Sequence, residues 1–290
     1  MSPTLLQIDG HTVAAEVHVK PDGRPPVLFL HGIMTSPAIG RELFADPAAE
    51  SWLAVGLPGH HPDGAAARRS PGAIDAELFG HLVETAVGRI VGERPVIAAG
   101  WSLGGFAALN LAIRHPRRVA AVASLAGFAR GELCGAIAWL QWLARSAVGR
   151  RILAGGLAAA AGSRRLHGMM LGLCAADRRA ARAIPGDLRS RMHDDFSRHD
   201  PASLAAVVAA LESLDISGRL TEIRVPAWIA GGERDPIVPL AETLRLARGI
   251  PGAELRLYPA AGHLFCSEWP AVREDFAAWR RRVTEPYAAP

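Results

Sequence analysis

Ser102 sits between two close glycines, in Gly100-Trp101-Ser102-Leu103-Gly104. An apolar run ends at Ala99 before it, and an apolar stretch of helical spacing begins near Leu103 after it. A serine so placed lies on a tight strand-to-helix turn, its side chain forced out at the top of a sheet with a helix N-terminus beneath. Small residues must flank it because the turn folds the backbone close upon itself. The five-residue pattern also arises by chance, so its weight comes from the strand before it and the helix after it. A serine nucleophile needs a base. His263, in Pro259-Ala-Ala-Gly-His-Leu-Phe, follows the last expected strand and precedes the last expected helix. That puts it at the carboxyl edge of the sheet, where sites of open α/β folds gather. The base needs an orienting acid. Asp235 follows another strand and precedes His263 by 28 residues, room for one helix and one strand. Asp-Pro alone is a common turn, but the chain order Ser, Asp, His makes Asp235 the expected acid, ahead of Glu233.

Attack on a carbonyl creates an oxyanion that needs two preorganised N–H donors. Leu103, at the helix N-terminus, is one. The loop after Leu28-Phe-Leu-His-Gly offers the other at Ile33, with His31 shaping that loop.

The elements that must hold these residues are legible from periodicity. Strands are expected at Thr4–Ile8, Thr12–His18, Val27–Leu30, Trp52–Val55, Pro95–Gly100, Val119–Leu125, Val225–Ala230 and Ala253–Tyr258. Helices are expected at 37–45, Ile74–Val91, after Ser102, Leu240–Ala247 and Ala271–Val283. Alternating strands and helices imply βαβ units and a mostly parallel sheet. The alternation stops at Gly127 and resumes near Gly218, with only Ala-, Arg- and Leu-rich helices between. This reads as an α/β core over residues 1–127 and 219–290, with an all-helical cap over 128–218 inserted after the sixth strand. Gly127 and Ser217-Gly218 are the expected hinges.

In the cap, Ile137, Trp139, Leu140, Trp142 and Leu143 form one apolar helical face, and Met169, Met170, Leu171 and Leu173 another. They serve either to pack on the core or to line an acyl pocket. Trp101, Trp139, Trp142, Leu143, Met169 and Met170 are the expected substrate contacts.

Composition narrows the partners. The chain has 290 residues, 50% of them hydrophobic, which excludes a disordered protein. Residues 95–113 carry no charge, but their glycines, Pro95 and Asn110 fit a strand, turn and helix better than a membrane span. Three scattered cysteines are too few for a disulfide framework or a Cys-based metal site. The N-terminus shows no basic segment followed by an apolar one, so a cytoplasmic setting is expected. The net charge of +4 is uneven. Ten Arg face only Asp177 and Asp187 between Arg145 and Arg191, which is either a solvated surface or a docking face for an anionic substrate or acidic partner. No nucleic-acid-binding module is visible.

Taken together, His31-Gly32, Leu57-Pro-Gly-His60, Gly100–Gly105, Gly231–Asp235 and Gly262-His263 resemble the α/β-hydrolase fold superfamily, in its capped serine-hydrolase branch. The run Gly-Trp-Ser-Leu-Gly-Gly followed by His115-Pro-Arg-Arg-Val looks most like carboxylesterases that cleave carrier-protein acyl methyl esters. One turn departs from the family pattern: Gly56 and His61 flank Leu-Pro-Gly-His, where the family has Asp and Gly. The resemblance implies Ser102 as nucleophile, His263 as base, Asp235 as acid, and Ile33 with Leu103 as the oxyanion hole. It implies an ester or thioester substrate with an apolar acyl part, free or on an acidic acyl-carrier protein, and no cofactor or metal. The same triad serves perhydrolysis, lactone or C–C bond hydrolysis and acyl transfer. A non-catalytic ligand receptor on this fold would have lost a triad residue, and none is lost here.

Overall fold

The computed structural model describes residues 3–44 and 50–287. Eight strands form one sheet: β1 (Thr4–Ile8), β2 (His11–His18), β3 (Val27–Leu30), β4 (Trp52–Val55), β5 (Val96–Trp101), β6 (Val119–Leu125), β7 (Ala227–Gly232) and β8 (Glu254–Tyr258). Their order is β1-β2-β4-β3-β5-β6-β7-β8. β1 and β2, and β2 and β4, run antiparallel; every other neighbouring pair is parallel. The central strands are buried on both faces, which explains their unbroken apolar runs. In β3, Leu28 and Leu30 join the core on one face and Val27 and Phe29 that on the other.

Helices α1 (Ala76–Val91) and α2 (Leu103–Arg114) cover the first face, where Phe79 meets Phe106 edge-on at 6.2 Å. Helices α3 (Gly135–Ala144), α4 (Ala147–Ala161), α5 (Arg164–Gly172), α6 (Arg178–Ala183), α7 (Gly186–Phe196) and α8 (Pro201–Ala210) all lie between β6 and β7 as the helical cap. The chain then adds α9 (Leu240–Gly249), the short α10 (Phe265–Glu268) and α11 (Val272–Thr284). α11 covers the second face, where Phe276 and Trp279 pack on Trp228. The segment expected as a helix over 37–45 is a 3-10 helix at Pro37–Glu42, and Ala45 lies outside the described residues.

Hydrogen bonds fasten the cap to the core. Ser36 Oγ donates to Asp195 at 2.7 Å, and Arg191 pairs with Glu42 at 2.8 Å. Glu242 of α9 accepts the Ala129 N–H at 2.9 Å where the chain leaves the sheet. The uncharged stretch 95–113 becomes β5, a turn and α2, and no helix among the described residues is long and apolar enough to cross a membrane.

Candidate active site

Ser102 caps α2 with φ +56° and ψ −118°, a left-handed conformation that a non-glycine residue adopts only under local strain, of order 1–3 kcal/mol. Its N–H donates to Leu125 O at 2.9 Å, pinning the turn to β6. A Cβ at Gly100 would overlap the Gly104 carbonyl, so the turn admits no side chain there. The elbow's tightness therefore accounts for the glycine spacing.

The His263 imidazole and the Asp235 carboxylate form a buried pair, Nδ1 to Oδ2 2.7 Å, with side chains 6% and 2% exposed. The second carboxylate oxygen of Asp235 accepts the Ile237 and Val238 N–H groups at 2.8 and 2.9 Å. Both oxygens are therefore committed, and the carboxylate cannot rotate without losing three bonds. An ionised carboxylate only accepts, so the proton of the neutral imidazole lies on Nδ1 and Nε2 carries the free lone pair. Glu233, the alternative acid, is exposed, and the carboxylate that pairs with His263 is that of Asp235. The Trp101 indole N–H donates to His263 O at 2.9 Å and its ring lies 5.4 Å from the imidazole.

Ser102 and His263 line one cavity of about 470 Å³ with Gly32, Ile33 and Trp101. The cap supplies its roof, including Leu140, Leu143, Leu153, Leu157 and Met170. Of the expected substrate contacts, Trp101, Leu143 and Met170 therefore reach the cavity. Trp139, Trp142 and Met169 do not: they are exposed, by 71%, 60% and 63%. The buried face of α3 is Ile137, Gln141 and Ala144, four and three residues apart, while Ala136, Ile137, Leu140 and Leu143 line the cavity. Gln141 earns this place by hydrogen bonding to Gly131 O and the Leu133 N–H. Helical spacing located an apolar helix, but a polar residue with backbone partners took one of the buried positions.

The loop carrying Ile33 is shaped by histidines. His31 Nδ1 donates to Gly32 O at 2.8 Å and its Nε2 accepts the Leu57 N–H at 3.1 Å. His60 Nε2 accepts the Met34 N–H at 3.0 Å, beside a Met34 held at φ +62°. His199 of the cap accepts the His61 N–H at 2.8 Å and meets the His60 ring edge-on. Burial holds all three neutral: His31 well below the ordinary value, His60 at about 4 and His199 at about 2. Only neutral rings can accept these backbone N–H groups, so the neutrality and the loop geometry require each other. In the sequence His60 stands only as part of the Leu-Pro-Gly-His turn and His199 carries no signal, because their partners are backbone groups 26 and 138 residues away.

Cys174 also lines the cavity, but burial, with the Asp235 and Glu268 charges, pushes its thiol up to about 12. It is therefore no thiolate competitor to Ser102 at neutral pH. Among the described residues no group of His, Cys, Asp and Glu could hold a metal ion.

A sequence model described as alpha/beta hydrolase fold matches residues 25–270. The chain is 30% identical over 272 residues to a pimeloyl-[acyl-carrier protein] methyl ester esterase of Neisseria meningitidis, covering 91% of this chain and 95% of that one. It is 29% identical over 246 residues to the protein of the same name from Aromatoleum aromaticum, covering 83% and 91%. Among solved structures, a thermophilic esterase from Thermogutta terrifontis superposes with a TM-score of 0.73 at 20% identity, over 98% of this chain and 100% of that one. An enol-lactonase from Burkholderia xenovorans superposes with 0.70 at 20% identity, over 97% and 98%. With the sheet, the elbow and a family match spanning most of its length, the chain belongs to the alpha/beta hydrolase fold family.

Proposed function

We propose that the protein is a serine hydrolase of carboxylic esters or thioesters with an apolar acyl part. The observation that carries this reading is the His263–Asp235 hydrogen bond at the wall of an apolar cavity that also contains Ser102. In the proposed reaction, Ser102 Oγ attacks the ester carbonyl while His263 Nε2 takes its proton. The N–H groups of Ile33 and Leu103 stabilise the oxyanion. Collapse expels the alcohol or thiol, which receives that proton from His263 and leaves an acyl-enzyme. Water, deprotonated by His263, then attacks the ester of Ser102. The acid departs and the proton returns to Ser102. Asp235 holds the imidazole in its tautomer and stabilises the imidazolium. Every group in this cycle is supplied by protein, so the reading invokes no cofactor.

The apolar cap roof favours an acyl chain over a polar one, by about 0.8 kcal/mol per buried methylene. A series of p-nitrophenyl esters tests this. kcat/KM is expected to rise from acetate toward medium-chain esters, and a monotonic fall from acetate would contradict the apolar acyl site. The domain division at 128 and 218 belongs to this reading, with the cap as the part that selects the acyl group. The three cysteines are free, which fits the cytoplasmic setting proposed from sequence.

A carrier-bound substrate is a second reading. The relatives named above favour it, as does a surface cleft of about 520 Å³ lined by Arg164, Arg165, Arg178, Arg182 and Arg189. An acidic carrier would be steered by this surface. The rate would then fall with salt over the range where the Debye length shrinks below about 10 Å, while a neutral ester shows no slope.

A further inference from the structure

Glu268 closes α10, five residues after His263, and its recorded hydrogen bonds are all to backbone N–H groups. Its Oε1 accepts the Gly262 N–H at 3.1 Å and the Ala176 N–H at 2.9 Å; its Oε2 accepts the Leu264 N–H at 3.2 Å. Gly262 and Leu264 are the two neighbours of His263. Ala176 belongs to the cap, in the loop between α5 and α6. The same cap loop reaches His263 directly, because the His263 N–H donates to Cys174 O at 3.0 Å. A Cβ on Gly262 would overlap the Ala176 backbone nitrogen, so the cap loop and the histidine loop meet without room for a side chain.

A carboxylate with three N–H donors is strongly held, since hydrogen bonds to an ionised acceptor are about twice as strong as neutral ones. Two of those donors flank the imidazole's own residue, and the third comes from a different part of the chain. We propose that Glu268 is a positioning residue. It keeps the His263 loop in register with Asp235 and Ser102, and it ties that register to the cap through Ala176. Glu268 is absent from the cavity lining, so it acts on the base and not on the substrate. A displacement of the cap loop at residues 174–176 then moves the base as well, and correct seating of the cap becomes a condition for turnover.

The inference rests on the triad reading, and a double-mutant cycle on a short p-nitrophenyl ester separates the two. Glu268→Ala is expected to lower kcat about 10²-fold, the scale of an ångström-level misplacement of a catalytic group, with KM within about twofold. Glu268→Gln keeps one acceptor oxygen and is expected to fall between, at about tenfold. In the His263→Ala background, where the base is gone, Glu268→Ala is expected to change the residual rate less than about twofold. An equal loss in both backgrounds would make Glu268 a fold staple and overturn the proposal. So would a wild-type kcat in Glu268→Ala and Glu268→Gln while His263→Ala is inactive. Full activity of His263→Ala itself would instead remove the triad reading, and this inference with it.

Discussion

The sheet and the cap solve different problems with different residues. In the sheet, four central strands are apolar on both faces, and the Ser102 elbow is clamped by backbone contacts that admit no side chain at Gly100. In the cap, α3 to α5 line the cavity with residues such as Leu140, Leu143, Leu153 and Met170, while Trp139, Trp142 and Met169 stand exposed and outside its lining. The core therefore sets where Ser102, His263 and Asp235, the proposed nucleophile, base and acid, stand. The cap sets what the cavity accepts, through side chains that could be exchanged without moving the triad. Chemistry should consequently fail in steps of thousands when the core is altered, and selectivity should drift in small steps when the cap is altered.

The largest effect belongs to Ser102→Ala, expected to lower kcat by about 10⁴–10⁶ with the thermal unfolding midpoint kept or raised, because the strained elbow loses only a hydroxyl. Steady-state assays beside a melting curve check this. Asp235→Asn comes next, at about 10³–10⁴, through the wrong imidazole tautomer. Glu233→Gln should leave kcat within about twofold, since Glu233 is exposed and Asp235 holds the imidazole. In the cap, Leu143→Ala or Met170→Ala should raise KM for a medium-chain ester severalfold. Trp139→Ala with Trp142→Ala should leave it unchanged, because neither residue lines the cavity. Equal effects of the two pairs would erase the distinction between the inner and outer faces of the cap.

A further effect concerns stability. His60 titrates at about 4 in the folded protein and near 6.5 when unfolded. Between these values the unfolded chain binds a proton that the folded chain does not. Stability is thus full above pH 6.5 and falls as the pH drops toward 4, by up to about 1.4 kcal/mol per pH unit for each such group. His167, also lowered to about 4 by burial and by His193, acts in the same window, and His199 extends it toward pH 2. Thermal unfolding from pH 8 to 4.5 should show the decline, and His60→Gln should make it shallower.

The elbow was legible because its demands are local. The strand, the glycines and the helix all lie between Val96 and Arg114. The mostly parallel sheet followed from alternation. β7 begins two residues later than the apolar run implied, since Pro226 has no N–H to give the ladder, and Gly231 and Gly232 extend it beside Leu257 and Tyr258. α1 begins at Ala76 and not Ile74 because the Asp75 carboxylate caps it, accepting the Leu78 N–H at 2.8 Å. What stayed hidden is whatever depends on distant backbone groups: the His60 and His199 bonds, the three N–H groups on Glu268, and the inward turn of Gln141. Side-chain type and periodicity carry no record of a partner that is a peptide N–H far along the chain.

The central claim is that Ser102 is a nucleophile activated by His263. Treating the intact protein with a fluorophosphonate, then digesting it and weighing the peptides, tests this directly. One adduct per chain is expected, on the peptide bearing Ser102, absent in Ser102→Ala and formed at least about 10²-fold more slowly in His263→Ala. No adduct on Ser102, or labelling at an undiminished rate in His263→Ala, would contradict it.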